Sequence, residues 1–189
     1  MAILGQGWEF HIVRQSEQRR ASDGHRRTVG TYAIYQDGKK QPGLRLSGAV
    51  AETRGPGANR PNGNGRRLEA GRYPLWTQAG TNYVTYGYNA SESRTAKPKP
   101  GIELMETGER TEILIHPGYG FLSSVGCINP CTSLPNAEEM IDYVASRRRV
   151  LAIIDNIRVY LGTSFPMANG HNIPRAFVVI DGEPTFAGS

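Results

Sequence analysis

The chain has 189 residues, 38% of them apolar and 21% charged, with a formal net charge of +5 and a pI of about 9.4. That length suits one domain with its own core, and the apolar share is too large for bulk disorder. The basic excess suits an anionic partner. However, the chain lacks zinc-finger spacing, an aromatic RNA-binding pattern and a basic heptad region, so no nucleic-acid partner is assigned.

Twenty-three glycines and twelve prolines predict many turns and short strands. "WEFHIVR" alternates, placing Trp8, Phe10 and Ile12 on one face of a strand. "TVGTYAIYQDGKK" is rich in β-branched and aromatic residues and breaks at Asp37-Gly38, a hairpin turn. "LRLSGAVAET", "YPLWTQ" and "NYVTYGY" read as further strands, and "GIELMETGERTEILIHPG" as two strands around Thr107-Gly108. Residues 54–67 and 89–101 are poor in apolar side chains and read as flexible loops.

One strong helix is predicted late, capped by Asn136, with Glu138 and Glu139 in its first turn and Gly162 as its stop. The Arg147–Arg149 triplet either splits that helix or forms an exposed patch, and Arg66-Arg67 reads as a second basic surface. "AFVVIDG" is a closing buried strand. The expectation is a single domain over residues 1–189, mainly β and barrel- or sandwich-like, with one or two C-terminal helices. No run of about 18 apolar residues predicts a membrane span. "MAILGQGWEFHIVRQ" has no basic region leading into a long apolar stretch, so synthesis as a soluble cytoplasmic protein is expected.

Reactive side chains concentrate in "ILIHPGYGFLSSVGCINPC", residues 113–131, which holds one of four histidines and both cysteines. As a nucleophile, Cys127 needs a base and backbone donors for an oxyanion. His116 at a strand end, folding back over Gly118 and Gly120, and the Ser124–Cys127 turn supply both. As a metal site, His116, Cys127, Cys131 and His171 are available, but CxxxC is not the usual zinc spacing. As a disulfide, Cys127 and Cys131 would close a small loop, which a reducing compartment disfavours. As packing, both cysteines are small buried apolar groups and His116 a satisfied polar one.

"IHPGYGFLSSVGCIN" resembles the signature of the L,D-transpeptidase catalytic domain (YkuD-like): a strand-end histidine followed by Ser-x-Gly-Cys-Ile. With "ETRGPGANRPNGNGRRLEAGRYPL" upstream, it looks like a shortened, uncharacterised branch of that family, the similarity covering about residues 46–134. The resemblance implies Cys127 as nucleophile, His116 as base, Gly126 and Cys127 as oxyanion donors and Ser124 as support of the turn. Asn129, Gly118, Arg72 and Tyr73 would line the substrate cleft. Neither metal nor organic cofactor is implied.

The implied reaction is acyl transfer or hydrolysis on bacterial peptidoglycan stem peptides, at a diaminopimelate–D-alanine bond. Asn129 departs from the family's arginine, Pro117 from its glycine, and the His116–Cys127 interval is short. The alternative is a catalytically degenerate binding module of the same fold that recognises cell-envelope or phage components. A cell-wall substrate implies export without a signal peptide, as a secretion-system effector or phage-related component. Cys131 lies outside the signature and reads as packing.

Overall fold

The computed structural model describes residues 2–185. It is mainly β, with eleven strands and one α-helix among the described residues: β1 Trp8–Arg19, β2 Arg26–Gln36, β3 Lys39–Lys40, β4 Ser47–Thr53, β5 Gly71–Thr77, β6 Tyr83–Val84, β7 Lys99–Pro100, β8 Ile102–Leu104, β9 Ile113–Ile115, β10 Asn129–Cys131, α1 Tyr143–Leu161 and β11 Asn172–Asp181. Eight strands run in the order β10-β4-β2-β1-β11-β5-β8-β9, and β3 pairs with β2. β6 and β7 form a separate parallel pair.

Trp8, Phe10 and Ile12 alternate into the core and are fully buried. The Asp37-Gly38 turn has both residues at positive φ (47° and 77°), the backbone a two-residue hairpin needs. β11 returns from the C-terminal end to lie parallel to β1 and antiparallel to β5, inserting Val178 and Ile180 beside Phe10 and Ile12.

The two outer strands of the sheet then meet. Ile115 forms a parallel bridge with Ile128, just before β10. His116 N–H donates to the Ile128 carbonyl at 3.1 Å, and Ile128 N–H to the Leu114 carbonyl at 2.8 Å. The sheet thus nearly closes into a barrel, which covers part of its two edges. It also brings the two halves of the 113–131 stretch side by side.

The helix begins six residues later than Asn136 would have it. Asp142 is the cap, its carboxylate accepting from Ala145 N–H at 2.7 Å. Asn136 instead accepts from Glu138 and Glu139 N–H in a separate turn. The physical reason is Ile141, whose N–H and C=O both pair with Gly120 and so are unavailable to a helix.

Nor does the arginine triplet break the helix or form an exposed patch. Val150, Ile153, Ile154 and Ile157 enter the main core, while Arg147 and Arg149 are buried. Arg149 donates to Tyr32 Oη and the Ser47 carbonyl, Arg147 to the Asn89 carbonyl, and the half-exposed Arg148 pairs with Glu92.

Residues 54–70 contain no regular element, yet this loop is anchored by its arginines. Arg67, expected on a basic surface, is buried between Glu17 and Glu183, each at 2.8 Å. Nearby, Arg14 grips Glu52 with two bonds of 2.8 Å, both side chains being shut off from solvent. A run of arginines looks like surface in sequence because its acidic partners lie far along the chain.

Candidate active site

The bridge between Ile115 and Ile128 fixes the geometry of the site. Both isoleucines are fully buried in the core. Side chains alternate along a strand, so Leu114, His116, Cys127 and Asn129 all turn to the opposite face. Cys127 lies across from Leu114 and Asn129 across from His116, which makes His116 and Cys127 diagonal neighbours.

The cysteine sits on a tight turn closed by Ser124. The Ser124 hydroxyl donates to the Cys127 carbonyl at 2.7 Å and accepts from Gly126 N–H at 3.0 Å. Gly126 has φ +126°, and a Cβ there would overlap the Arg110 guanidinium, so only glycine fits. Because Ser124 occupies the Gly126 N–H, the expected pair of oxyanion donors reduces to one. Cys127 N–H makes no hydrogen bond among the described residues. The half-buried thiol donates to the Glu112 carbonyl at 3.5 Å and accepts from Leu114 N–H at 3.4 Å.

His116 is 3% exposed. Its Nδ1 lies 2.9 Å from the Pro117 carbonyl, which can only accept. This contact assigns the ring proton to Nδ1 and leaves the Nε2 lone pair as the base. The Tyr83 ring packs against the imidazole with centroids 4.5 Å apart. No hydrogen bond joins the imidazole to the Cys127 thiol among the described residues.

Burial governs both protonation states. It holds the His116 imidazolium down, to about 4, against the opposing Pro117 contact. It pushes the Cys127 thiol up, to about 11, although Leu114 N–H and the Arg110 charge act the other way. At neutral pH the pair is therefore a neutral imidazole beside a thiol. Such a pair works by general-base removal of the thiol proton during attack.

The depressed His116 value has a consequence for stability. An unfolded histidine titrates near 6.5, so between that pH and about 4 the unfolded chain binds more protons than the folded one. Stability is complete above about pH 6.5 and falls as pH drops toward 4, by on the order of 3 kcal/mol from this group. Urea denaturation across pH 4–7 should show this loss, and the His116→Asn variant should lack it. Identical pH dependence in the two chains would contradict the assignment.

Asn129, expected among the cleft residues, does not line an open surface. It is fully buried, and its amide donates to the His116 carbonyl at 3.2 Å. It braces the histidine. Gly118 is likewise a structural contact: its N–H donates to Ser146 Oγ at 2.8 Å, and that hydroxyl donates to the Pro130 carbonyl at 2.6 Å. Helix α1 thereby ties the histidine loop to β10. A Cβ on Gly118 would fall 2.7 Å from the Asn129 Cβ. Gly118→Ala is expected to cost about 1–3 kcal/mol by overpacking, measurable as a lower urea midpoint.

Arg72 and Tyr73 are not brought to the His116–Cys127 face. Arg72 pairs with Glu9 and lies over the Phe177 ring. Tyr73 is a core residue whose hydroxyl donates to the Glu69 carbonyl and accepts from Asn59. Cys131 packs with Val29, Ala51, Leu134 and Ile141, and both cysteines are free. His171 starts β11's approach with its backbone bonded to Thr77, and no three His, Cys, Asp or Glu side chains gather as a metal-binding set among the described residues.

Three residues absent from the sequence-based set bear on the site: Tyr83 against the imidazole, Ser146 under Gly118, and Arg110 beneath the cysteine turn. A cleft of about 630 Å³ opens beside it, lined by Arg20, His25, Arg26, Arg54, Tyr119 and Phe121 and reaching Ser124. Arg20 is held by Asp23 and Arg26 by Glu17, while Arg54 is exposed. No helix among the described residues is long and apolar enough to cross a membrane. No family model, curated protein or solved structure matches this chain.

Proposed function

We propose that the protein is a cysteine-dependent acyltransferase or hydrolase acting on peptidoglycan stem peptides. The observation that carries this reading is the placement of a histidine with a free Nε2 lone pair and a cysteine turn on one face, across the bridge that closes the barrel. The resemblance of "HPGYGFLSSVGCIN" to the L,D-transpeptidase signature supplies the substrate class.

In this reading Cys127 Sγ attacks the carbonyl of the diaminopimelate–D-alanine bond, and His116 takes the thiol proton. The carbonyl oxygen, now negative, is met by Cys127 N–H. Collapse breaks the C–N bond, and His116 returns the proton to the departing amine. An acceptor amine or water then attacks the thioester, giving the new amide or the free acid and restoring the thiol. Arg54, exposed in the cleft beside Ser124, suits a carboxylate of such peptides.

Release of D-alanine from a defined stem tetrapeptide tests the proposal. Release by the wild-type chain supports it. A second reading, a binding module of the same architecture, is favoured by the 3% exposure of His116 and the missing bond to the thiol. It expects the tetrapeptide to bind without any release.

A further inference from the structure

Arg110 stands in the connection between β8 and β9, six residues before His116. Its backbone is fixed by Thr107, whose hydroxyl donates to the Arg110 carbonyl at 2.6 Å. The side chain is only 3% exposed. All its hydrogen bonds go to neutral carbonyls: Nη1 to Arg66 at 2.7 Å and Ala58 at 3.3 Å, and Nη2 to Val125 at 2.9 Å. Nε is buried with no partner, and no carboxylate pairs with this guanidinium among the described residues.

A buried cation without a counter-ion is costly; two of the other buried arginines have one, while Arg27, Arg147 and Arg149 are met, like Arg110, by neutral oxygens. Arg14 has Glu52, and Arg67 has Glu17 and Glu183. Cys127 and Tyr73 are the two ionisable groups whose negative charge would act on Arg110. The Tyr73 hydroxyl is committed to Glu69, and burial raises its pKa, so it stays neutral. Cys127 remains.

We propose that Arg110 is the counter-charge of Cys127: its guanidinium holds the Val125–Cys127 turn and meets the negative charge that forms on the sulfur. It acts as a positioning and electrostatic residue through the cysteine. Because its other contacts are the Ala58 and Arg66 carbonyls, it also links the 54–67 loop to the reactive turn. The groups facing Cys127 are Arg110 and Glu112 from the β8–β9 connection, His116 after β9, and Tyr83 of β6. Of these Arg110 carries the positive charge at neutral pH, and Glu112 opposes it. The inference rests on the reading of Cys127 as a nucleophile, but not on the substrate.

The test is the pH profile of Cys127 alkylation by iodoacetamide, read by peptide mass spectrometry in wild type, Arg110→Lys and Arg110→Gln. Loss of the charge should displace the Gln profile by at least one unit to alkaline pH, making labelling about tenfold slower at pH 8. The Lys profile should stay near wild type. Superimposable wild-type and Gln profiles would overturn the proposal. A second comparison leaves Arg110 intact: Cys127→Asp should melt higher than the isosteric Cys127→Asn at pH 7, because the cation gains an anion. The reverse order would overturn it even if Arg110→Gln fails to fold. A shifted profile without any D-alanine release would retain Arg110's role and reject the stem-peptide reading.

Discussion

Replacing Cys127 with alanine is expected to abolish D-alanine release from a stem tetrapeptide, with a loss of at least about a thousandfold. The sulfur is the atom that bonds to substrate, and nothing nearby substitutes for it. Cys131, four residues on, is buried in a separate apolar cluster, and burial pushes its thiol up to about 12. The fold should be nearly unaffected. Cys127 is half-buried, its turn is held by Ser124 and Arg110, and alanine retains the backbone contacts. Thermal melting alongside the activity assay separates the two effects. Activity retained in the alanine variant would place the chemistry elsewhere.

The largest expected loss of stability lies away from that turn. Arg14 and Glu52 face each other from β1 and β4, joined by two bonds of 2.8 Å, with a third from Arg14 to the Leu68 carbonyl. Arg14→Ala removes the cation and leaves a carboxylate sealed from water, a change that costs about 3–5 kcal/mol. The double replacement Arg14→Met with Glu52→Leu removes both charges and should recover most of that loss. Urea denaturation of the two variants measures the difference. A loss below about 1 kcal/mol in Arg14→Ala would show that water reaches the pair.

The strands were legible where hydrophobic alternation is strong. Trp8, Phe10 and Ile12 announce β1, and Asp37-Gly38 announces the hairpin, because both depend on neighbours within a few residues. "NYVTYGY" shrank to the two residues Tyr83–Val84, since its strand partner β7 is itself only two residues long. The helix start was misplaced because Asn136 carries a genuine capping side chain. Only the distant pairing of Ile141 with Gly120 shows that the backbone there is already committed.

Site residues divide in the same way. Residue types singled out the 113–131 stretch, and the resemblance to the L,D-transpeptidase signature chose His116 and Cys127 within it. Asn129 is expected in the substrate cleft because it stands where the resembling family has arginine; sequence does not show the His116 carbonyl it bonds. Arg110 gave no signal: an arginine in a turn reads as solvent-facing. Its meaning depends on the carbonyls of Ala58, Arg66 and Val125, which the fold gathers from two loops.

The most direct measurement is the intact mass of the chain after brief incubation with a stem tetrapeptide ending in diaminopimelate–D-alanine. A mass increase equal to the peptide less D-alanine, mapped to Cys127 and absent in the Cys127→Ala variant, is the predicted result. An unmodified chain under conditions where the peptide is bound, or an adduct on Cys131, would contradict the account.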